Sequence, residues 1–313
     1  MTIGNYPTPV EPLGSRHGNL WIKRDDLVAP RYGGNKVRKL ERLLVDARAQ
    51  KKRRIVTIGA GGSHQVLATA IYGADAGFEV EAVLVPQPGT DHARANLRLG
   101  LAQGLRVVVA PSWSAAPAVI SALLGRDAYL FPLGGSNALS SLGFVDAAKE
   151  LEAQVRAGEV PEPDVIVVAL GSGGTASGLA VGLAATSLAT RVVGVAVSPP
   201  LKVVELMTQR LVKKTAALAG VTIDDARPAR LEIDRRWLGR GYGFSTHEGD
   251  LAMAEASRFG LLLDPTYTAK AYAAALDHAR TKRVLYWHTL SSAPMSLAEV
   301  PPLPAEYERL FRP

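Results

Sequence analysis

The sequence predicts an α/β protein with two open, twisted parallel-sheet domains. Apolar segments of strand length, rich in β-branched residues, alternate with segments whose apolar residues recur at helical spacing. Such alternation is typical of parallel strands whose connecting helices cover both faces of a sheet. The predicted strands span 55–58, 81–85, 106–109, 129–132, 165–170, 192–197 and 284–287. After a helix that opens at Lys36, the predicted helices span 65–76, 93–103, 116–124, 142–156, 179–186, 203–219, 249–259 and 270–279.

The composition narrows the class of protein. The 313 residues are 47% apolar and 21% charged, which is ordinary for a globular chain. No apolar run reaches the length of a membrane span and the first residues do not form a signal peptide, so we expect a cytoplasmic protein without a membrane partner. The absence of cysteine excludes disulfides and a cysteine nucleophile, and the histidines lack the spacing of a metal site. The net charge is +7, but aromatic residues are only 6% and follow no arginine stripe, so we expect no nucleic-acid partner.

A lysine stands at an unusual place at the start of the first predicted helix. Gly33 and Gly34 supply a tight turn, Asn35 is a good N-cap, and Lys36 then falls in the first helical turn. There the helix dipole and two further cations in the same segment disfavour a positive charge, so the pKa of Lys36 should be lowered. A neutral amine can form a Schiff base with a carbonyl compound. Taken alone, the segment also fits a solvated surface lysine.

A glycine-rich loop follows the predicted strand 165–170. Its sequence, Gly-Ser-Gly-Gly-Thr-Ala-Ser-Gly at 171–178, opens a helix of small residues. Backbone N–H groups of such a turn can converge on an anion, helped by the helix N-terminus. The loop has no lysine and lacks dinucleotide-type glycine spacing, so it suits a single phosphate monoester. The alternative is a tight turn in which glycine only permits close packing.

Three more loops carry side chains of chemical interest. Ser63 follows a glycine turn after the strand 55–58 and is a natural N-cap, which is also its simplest interpretation. Tyr242 lies between two glycines and could reach a ligand or only pack. Tyr267 and Thr268 lie in an Asp-Pro-Thr-Tyr-Thr segment that ends one predicted helix and starts another.

These segments together resemble a known family. The segments 23–26 (Lys-Arg-Asp-Asp) and 33–41 (Gly-Gly-Asn-Lys-Val-Arg-Lys-Leu-Glu) are similar to the lysine segment of the pyridoxal-phosphate-dependent D-cysteine desulfhydrase and 1-aminocyclopropane-1-carboxylate deaminase family. The likeness continues in the same order through 134–139, 171–178, 241–243, 264–270 and 288–289. It implies the tryptophan-synthase-β-like fold, fold type II. In that fold, a small domain at 46–149 would be inserted in a large cofactor-binding domain at 1–45 and 150–313.

The resemblance also implies roles for individual residues. Lys36 would hold pyridoxal 5'-phosphate through a Schiff base and later take the α-proton of a small amino-acid substrate. Ser63, Tyr242 and Tyr267 would face that substrate. The other cofactor-binding positions that the resemblance implies are Asn35, His64, Gly171, Ser172, Gly173, Gly174, Thr175, Thr268 and Thr289. A homodimer is expected as well.

The reaction implied is β-elimination with deamination, as in D-cysteine desulfhydrase. Thr268 stands where deaminase-like members have a glutamate near the pyridine nitrogen, and Thr289 stands where they have leucine. Both differences favour β-elimination over cyclopropane ring opening. Ring opening, racemisation and a non-catalytic ligand-binding relative remain the alternatives.

The sequence departs from the family pattern at three places. Ser63-His64-Gln65 replaces Ser-Asn-His, so His64 takes the place of an asparagine that contacts the ring oxygen of the cofactor. Leu290-Ser291-Ser292 replaces a pair of glycines after His288-Thr289, and Ala269 replaces a glycine. All three lie at the expected pocket, so we hypothesise that the substrate differs from D-cysteine.

Overall fold

The computed structural model describes residues 2–13, 18–223 and 229–312. Contacts between Cα atoms divide the chain into two compact, discontinuous units. The six-strand unit comprises Thr2–Lys39 and Ser136–Ala293, and the four-strand unit comprises Leu40–Gly135 and Pro294–Pro313. These units are defined by contacts alone, and contacts do not show that a unit folds independently. The domains expected from the sequence, 46–149 inserted in 1–45 and 150–313, therefore stay a prediction.

Strands and helices alternate along the described residues. In chain order the strands are β1 (Val10–Pro12), β2 (Leu20–Lys23), β3 (Arg54–Ala60), β4 (Glu79–Val85), β5 (Gln87–Pro88), β6 (Arg106–Val109), β7 (Ala128–Phe131), β8 (Val165–Leu170), β9 (Arg191–Ala196), β10 (Leu231–Asp234), β11 (Val284–Trp287) and β12 (Phe311–Arg312). The helices are α1 (Lys36–Ala49), α2 (His64–Asp75), α3 (Asp91–Ala102), α4 (Ala116–Leu123), α5 (Ala138–Arg156), α6 (Gly174–Ala184), α7 (Leu201–Ala219), α8 (His247–Ser257) and α9 (Thr268–His278). Short 3-10 helices span Asp25–Leu27, Leu133–Gly135 and Ala305–Leu310.

The larger sheet belongs to the six-strand unit and has the order β1-β2-β11-β8-β9-β10. All its neighbours are parallel except β1 and β2, which form an antiparallel edge. This pair departs from the purely parallel sheet that the sequence predicted. The connection between β1 and β2 is too short for the crossover that a parallel pair requires.

Both faces of this sheet are covered, which explains the continuous apolar sequence of β8. Val165 and Val167 face a core formed with α8 and α9, whereas Ile166, Val168 and Leu170 face a core formed with α5 and α6. Strands buried on both faces read as uninterrupted apolar runs rather than as alternating ones. The predicted strand 165–170 is confirmed with its limits unchanged.

The smaller sheet belongs to the four-strand unit and has the order β6-β4-β3-β7. All three of its strand pairs are parallel, as the sequence predicted. A separate two-stranded parallel ribbon joins β5 to β12, close to the C-terminus. The sequence analysis did not predict these two strands, because a strand of two residues carries no alternating pattern.

The predicted strands and helices are confirmed, but α5 and α6 start earlier than predicted. Helix α5 begins at Ala138, after a capping box between Asn137 and Ser140. Helix α6 begins at Gly174, inside the predicted glycine loop. A Cβ on Gly178 would lie 2.3 Å from Ser141 O, so this glycine lets α6 approach α5 closely. The glycine-rich segment therefore combines a loop with a closely packed helix.

Candidate active site

The turn before Lys36 is built from backbone contacts that require glycine. Gly34 has a φ of +85°, and its N–H donates to Asp25 O at 2.8 Å. A Cβ on Gly33 would lie 1.9 Å from Asp26 O, so no other residue fits there. The first turn of α1, with Lys36, therefore starts from a backbone whose position is closely defined.

Two serines after β11 support the same turn. Ser291 Oγ accepts a hydrogen bond from Gly33 N at 2.8 Å, and Ser292 Oγ donates to Asp26 Oδ2 at 2.6 Å. These serines replace the glycine pair of the family pattern. Their side chains are therefore engaged in supporting the Lys36 turn, which gives the departure a structural role. The hypothesis of a changed substrate stays a prediction.

The Lys36 amine is half-buried and has a low pKa. Burial lowers the pKa of Lys36 to about 8, and the Asp264 carboxylate opposes part of this shift. The sequence predicted the direction, but it did so from the helix dipole and from neighbouring cations such as Arg38. The Arg38 guanidinium pairs with Asp25 at 2.8 Å and with Glu150 at 2.9 Å. Removal of the amine from water is thus the main cause.

Asn35 joins three of the predicted segments. Its Nδ2 donates to Thr175 Oγ1 at 3.0 Å, and its backbone N donates to Thr289 O at 3.2 Å. Thr175 follows the glycine loop after β8, and Thr289 follows β11. Because β8 and β11 are parallel neighbours, their carboxyl ends meet at one edge of the sheet. The lysine turn, the glycine loop and Thr289 therefore come together there.

Two residues to which the sequence analysis gave no binding role, Lys39 and Ser136, adjoin the glycine loop. Lys39 Nζ donates to Ser136 Oγ at 2.9 Å, and Ser136 Oγ lies 2.7 Å from Ser172 Oγ. A Cβ on Gly174 would lie 2.5 Å from Ser136 Oγ and 3.0 Å from Lys39 Nζ. Burial and then the charge of Lys36 lower the pKa of Lys39 well below its usual value. Helical spacing from Lys36 was the signal that could have found Lys39.

Tyr242 and Tyr267 form a half-buried pair of phenols. Tyr267 OH donates to Tyr242 OH at 2.9 Å, and the rings meet edge to face with centroids 5.6 Å apart. A Cβ on Gly171 would lie 3.2 Å from Tyr267 Cε1, which places this ring against the glycine loop. Burial raises the pKa of Tyr242 to about 12 and that of Tyr267 well above its usual value. Both phenols therefore keep their protons at neutral pH.

Asp264 holds the segment that carries Tyr267 and Thr268 through hydrogen bonds. The sequence analysis gave this residue no role. Its Oδ1 accepts hydrogen bonds from Thr266 N at 2.9 Å and Tyr267 N at 2.7 Å. Its Oδ2 accepts from Thr268 Oγ1 at 2.7 Å. The Thr268 hydroxyl thus directs its proton to the carboxylate. Asp264 fixes this segment and also acts on the Lys36 amine through its charge.

Lys270 anchors the loop that leads to Tyr242. This lysine lies on α9, has no exposed surface, and its Nζ donates to Leu238 O and to Gly241 O, both at 2.9 Å. Two backbone carbonyls just before Tyr242 are therefore tied to the helix that also starts at Thr268.

Ser63 and His64 lie in the four-strand unit. Ser63 is the N-cap of α2 as expected, and its Oγ accepts from Val66 N at 3.4 Å. His64 Nε2 lies 3.1 Å from His92 Nε2, and Asn96 Nδ2 lies 3.5 Å from His64 Nδ1. The predicted roles of Ser63 and His64 toward substrate and cofactor stay predictions.

Within residues 2–13, 18–223 and 229–312, no three His, Asp or Glu side chains are grouped so that they could hold a metal ion. None of the helices in the same ranges is long and apolar enough to cross a membrane.

The lysine turn and the glycine loop both lie in the part of the chain that matches a known protein family. Residues 1–289 match a family described as pyridoxal-phosphate dependent enzyme. The chain belongs to this family. Pyridoxal phosphate is therefore the cofactor of this enzyme. The family resemblance identified from the sequence is confirmed.

Relatives within the pyridoxal-phosphate family match over nearly the whole chain. A D-cysteine desulfhydrase of Yersinia enterocolitica is 35% identical over 311 residues, which cover 92% of each chain. A protein of Pyrococcus furiosus, provisionally named as a 1-aminocyclopropane-1-carboxylate deaminase, is 34% identical over 302 residues, covering 91% of this chain and 89% of its own.

Solved structures confirm the fold of this pyridoxal-phosphate enzyme. The crystal structure of a homologue of 1-aminocyclopropane-1-carboxylate deaminase superposes with a TM-score of 0.79 at 31% identity, covering 93% of this chain and 91% of the other. A hydrogen sulfide-producing enzyme from Fusobacterium nucleatum superposes with a TM-score of 0.64 over 93% of this chain and 94% of its own. At 16% identity, the second likeness shows the fold alone. The predicted α/β fold of type II is confirmed.

The residues in the six-strand unit fit pyridoxal phosphate. The aldehyde of the cofactor would form a Schiff base with a neutral amine. Because the pKa of Lys36 is lowered to about 8, more of its amine is neutral near physiological pH than in an ordinary lysine. A phosphate needs donors and positive charge, which the hydroxyls of Ser172 and Thr175 and the buried amine of Lys39 can supply. Burial and Lys36 both lower the pKa of Lys39, and an anion beside its Nζ would oppose both effects.

Proposed function

We propose that this pyridoxal-phosphate-dependent enzyme is a lyase that eliminates a β-substituent from a small amino acid and releases ammonia. The observation that carries the proposal is the half-buried Lys36 amine, with a pKa of about 8, beside the glycine loop and its buried lysine. The relative named D-cysteine desulfhydrase, at 35% identity, supports the reaction class. With D-cysteine and one water, the products would be hydrogen sulfide, ammonia and a three-carbon keto acid.

The residues that would hold the cofactor follow from the site. When bound, pyridoxal phosphate supplies an electron sink for the α-carbon of the amino acid. Lys36 would hold it covalently, with Asn35 close by. The hydroxyls of Ser172 and Thr175, the N–H groups of the 171–174 loop and the Lys39 amine would bind the phosphate.

Lys36 also has the properties of the base in this reaction. Lys36 Nζ would be the group that takes the α-proton of the substrate. Because its pKa is about 8, the amine can accept a proton near neutral pH and hold it as ammonium. Tyr242 and Tyr267 would act beside it as protonated phenols, and Ser63 would bind the substrate carboxylate.

The environment of Thr268 supports elimination rather than ring opening. Its hydroxyl is neutral and donates to Asp264 Oδ2 at 2.7 Å. A neutral hydroxyl would hold a proton on the ring nitrogen less strongly than the negatively charged glutamate of deaminase-like members. A good β-leaving group needs less electron withdrawal than a cyclopropane ring, so elimination is the reaction that this site suits.

A second candidate is the opening of the 1-aminocyclopropane-1-carboxylate ring. It is favoured by the names of the Pyrococcus furiosus relative, at 34% identity, and of the solved homologue, at 31% identity. Its product would be a four-carbon keto acid with ammonia. Racemisation of an amino acid on the same site would release no ammonia, so product analysis separates these activities.

The test begins with the absorption spectrum of the purified protein loaded with pyridoxal phosphate. We expect a visible band that is absent in Lys36→Ala and retained in Lys213→Ala, which changes an exposed lysine on α7. D- and L-amino acids and the cyclopropane substrate are then added in turn, and sulfide, ammonia and keto acids are measured. A wild-type protein without a visible band, or one that releases no ammonia from any compound, would refute the lyase proposal.

A homodimer in the cytoplasm belongs to the same proposal. The dimer is expected from the family resemblance, and the cytoplasmic location is the expectation of the sequence analysis. Light scattering of the purified protein should give twice the chain mass of 33.2 kDa, and a mass equal to one chain would contradict the dimer.

A further inference from the structure

The turn that carries Ser63 is held at both backbone polar atoms of one residue, Gly62. Gly62 N donates to Gln87 Oε1 at 3.0 Å, and Gly62 O accepts from Asn96 Nδ2 at 3.0 Å. A Cβ on Gly62 would lie 2.4 Å from Ala93 Cβ, so α3 packs directly against this residue. The backbone that precedes the N-cap Ser63 is therefore fixed by side chains from outside the turn.

Gln87 is the point at which this turn meets the C-terminus. Its side chain is only 8% exposed, and its backbone pairs with Phe311 in the parallel ribbon of β5 and β12. Gly89 N also donates to Arg312 O at 2.7 Å, which closes the ribbon. The position of the Gln87 amide therefore depends on β12.

The C-terminal residues also contact the turn directly. A Cβ on Gly61 would lie 3.2 Å from Leu310 Cβ and 3.2 Å from Phe311 Cε1. Leu310 is fully buried, and the Arg94 guanidinium lies over the Phe311 ring at 5.0 Å. Arg94 also pairs with Glu308 at 3.2 Å. The last described residues thus pack between α3 and the turn, and they belong to the four-strand unit.

One continuous segment of chain supports two predicted site turns. At its start, in the six-strand unit, Ser291 Oγ accepts from Gly33 N beside Lys36. At its end, in the four-strand unit, Phe311 packs on Gly61 and pairs with Gln87.

We propose that Gln87, held by the C-terminal strand β12, positions the Ser63 turn for binding of the substrate carboxylate. Gln87 is a positioning residue, because it acts through the Gly62 peptide. The inference rests on the proposed function, in which Ser63 binds that carboxylate. Without the Gln87 acceptor, Gly62 N would lose its partner, and the turn would sample other backbone conformations.

The test compares three full-length variants loaded with pyridoxal phosphate. Gln87→Leu removes the acceptor, Gln87→Glu keeps an acceptor oxygen, and Gln50→Leu changes an exposed glutamine of the same unit as the control. Amide hydrogen exchange is measured over residues 59–66. We expect about tenfold faster exchange there in Gln87→Leu only, which corresponds to the loss of one ordinary hydrogen bond.

Kinetics provide the second readout. With the substrate found for the wild type, Gln87→Leu should raise KM by about tenfold while kcat changes by less than about threefold. Gln87→Glu should keep KM near the wild-type value, and the visible band should be unchanged in all variants. Rescue of KM by Gln87→Glu shows that the acceptor oxygen matters. A general structural defect would also lower kcat or the visible band, so a change confined to KM reports positioning.

Phe311→Ala extends the test to the C-terminus and covers the case in which Gln87→Leu does not fold. It should speed exchange over both 59–66 and 87–89. Unchanged exchange over 59–66 in the folded variants, or an unchanged KM in spite of faster exchange, would overturn the inference. If the wild type acts on no amino acid, the proposed function fails, and the exchange data alone decide whether Gln87 and β12 hold the turn.

Discussion

Lys36 and Lys39 lie one helical turn apart, and burial lowers the pKa of both amines. The two lysines are nevertheless suited to different tasks. Lys36 is half-buried as a residue, whereas Lys39 is 1% exposed and donates to Ser136 beside the glycine loop. The sequence predicted a low pKa for Lys36 from the helix terminus. It could not show the larger cause, because desolvation depends on which distant segments cover the amine.

The low pKa of Lys36 predicts how the apoprotein takes up its cofactor. Only the neutral amine attacks the aldehyde, so the rate at which the visible band appears should rise about tenfold per pH unit below the pKa. It should level off above about pH 8. The rate is measured by mixing apoprotein with pyridoxal phosphate between pH 6 and 9. Lys213→Ala should show the same profile, and a rate that keeps rising toward the pKa of an ordinary lysine would contradict a buried amine at Lys36.

The loop before Tyr242 and the start of α9 depend on one another. Lys270 ties Leu238 O and Gly241 O to α9, and Tyr267 OH donates to Tyr242 OH across the same gap. From the sequence, Tyr242 between two glycines could be either a mobile ligand contact or a packing residue. The hydrogen bonds of Lys270 hold the loop before Tyr242 in place, which favours a fixed loop over a mobile one. These segments come together only in the folded chain.

Lys270→Met should loosen this loop without removing the cofactor. The change leaves two buried carbonyls without their donor, and we expect a loss of about 1–3 kcal/mol in the free energy of unfolding. Urea unfolding of the apoprotein measures this loss, and kcat should fall while the visible band persists. The matched control is Lys214→Met, which changes an exposed lysine on α7. Equal stability of the two variants would show that the contacts of Lys270 contribute nothing.

A buried network of charges underlies α1 in the six-strand unit. Arg38 pairs with Asp25 at 2.8 Å and with Glu150 at 2.9 Å, and Lys23 Nζ lies 2.6 Å from Glu150 Oε1. Trp287 Nε1 donates to Asp25 Oδ2 at 2.7 Å. Burial alone would raise the pKa of Asp25, but the Arg38 charge and these hydrogen bonds lower it overall. The network thus joins β2, α1, α5 and β11 beneath the turn that carries the active lysine.

Arg38→Met should destabilise the protein in a pH-dependent way. It leaves the buried Asp25 and the half-buried Glu150 without their main partner, for which a loss of about 3–5 kcal/mol is expected. Because the folded-state pKa values of Asp25 and Glu150 are lowered, their contribution is present at neutral pH and is lost as pH falls through those values.

Denaturant unfolding at several pH values checks this prediction for Arg38→Met. The difference in unfolding free energy from the wild type should be largest near neutral pH and shrink in acid. Arg210→Met, which changes an exposed arginine on α7, should leave stability nearly unchanged at every pH. A difference that is constant from neutral to acidic pH would show that the network does not act through ionised carboxylates.

At the scale of the whole molecule, neither compact unit is continuous in sequence. The six-strand unit takes its first strands from the N-terminus, and the four-strand unit takes its last strand from the C-terminus. Periodicity identified β3, β4 and β8 with limits within two residues. It missed β1, β2, β5, β10 and β12, because strands of two to four residues carry too little pattern of their own and are defined by their partners.

Local spacing and residue type were sufficient to predict the α/β class, the lysine turn, the glycine loop and the family. Only the tertiary structure brought Lys39 and Ser136 to the glycine loop, Asp264 near Lys36, and Gln87 between Ser63 and the C-terminus. These contacts join residues that are far apart in the chain. The burial and charges that shift the pKa of each amine, and the contacts that hold each turn, exist only once the chain has folded. No local sequence pattern could therefore predict them.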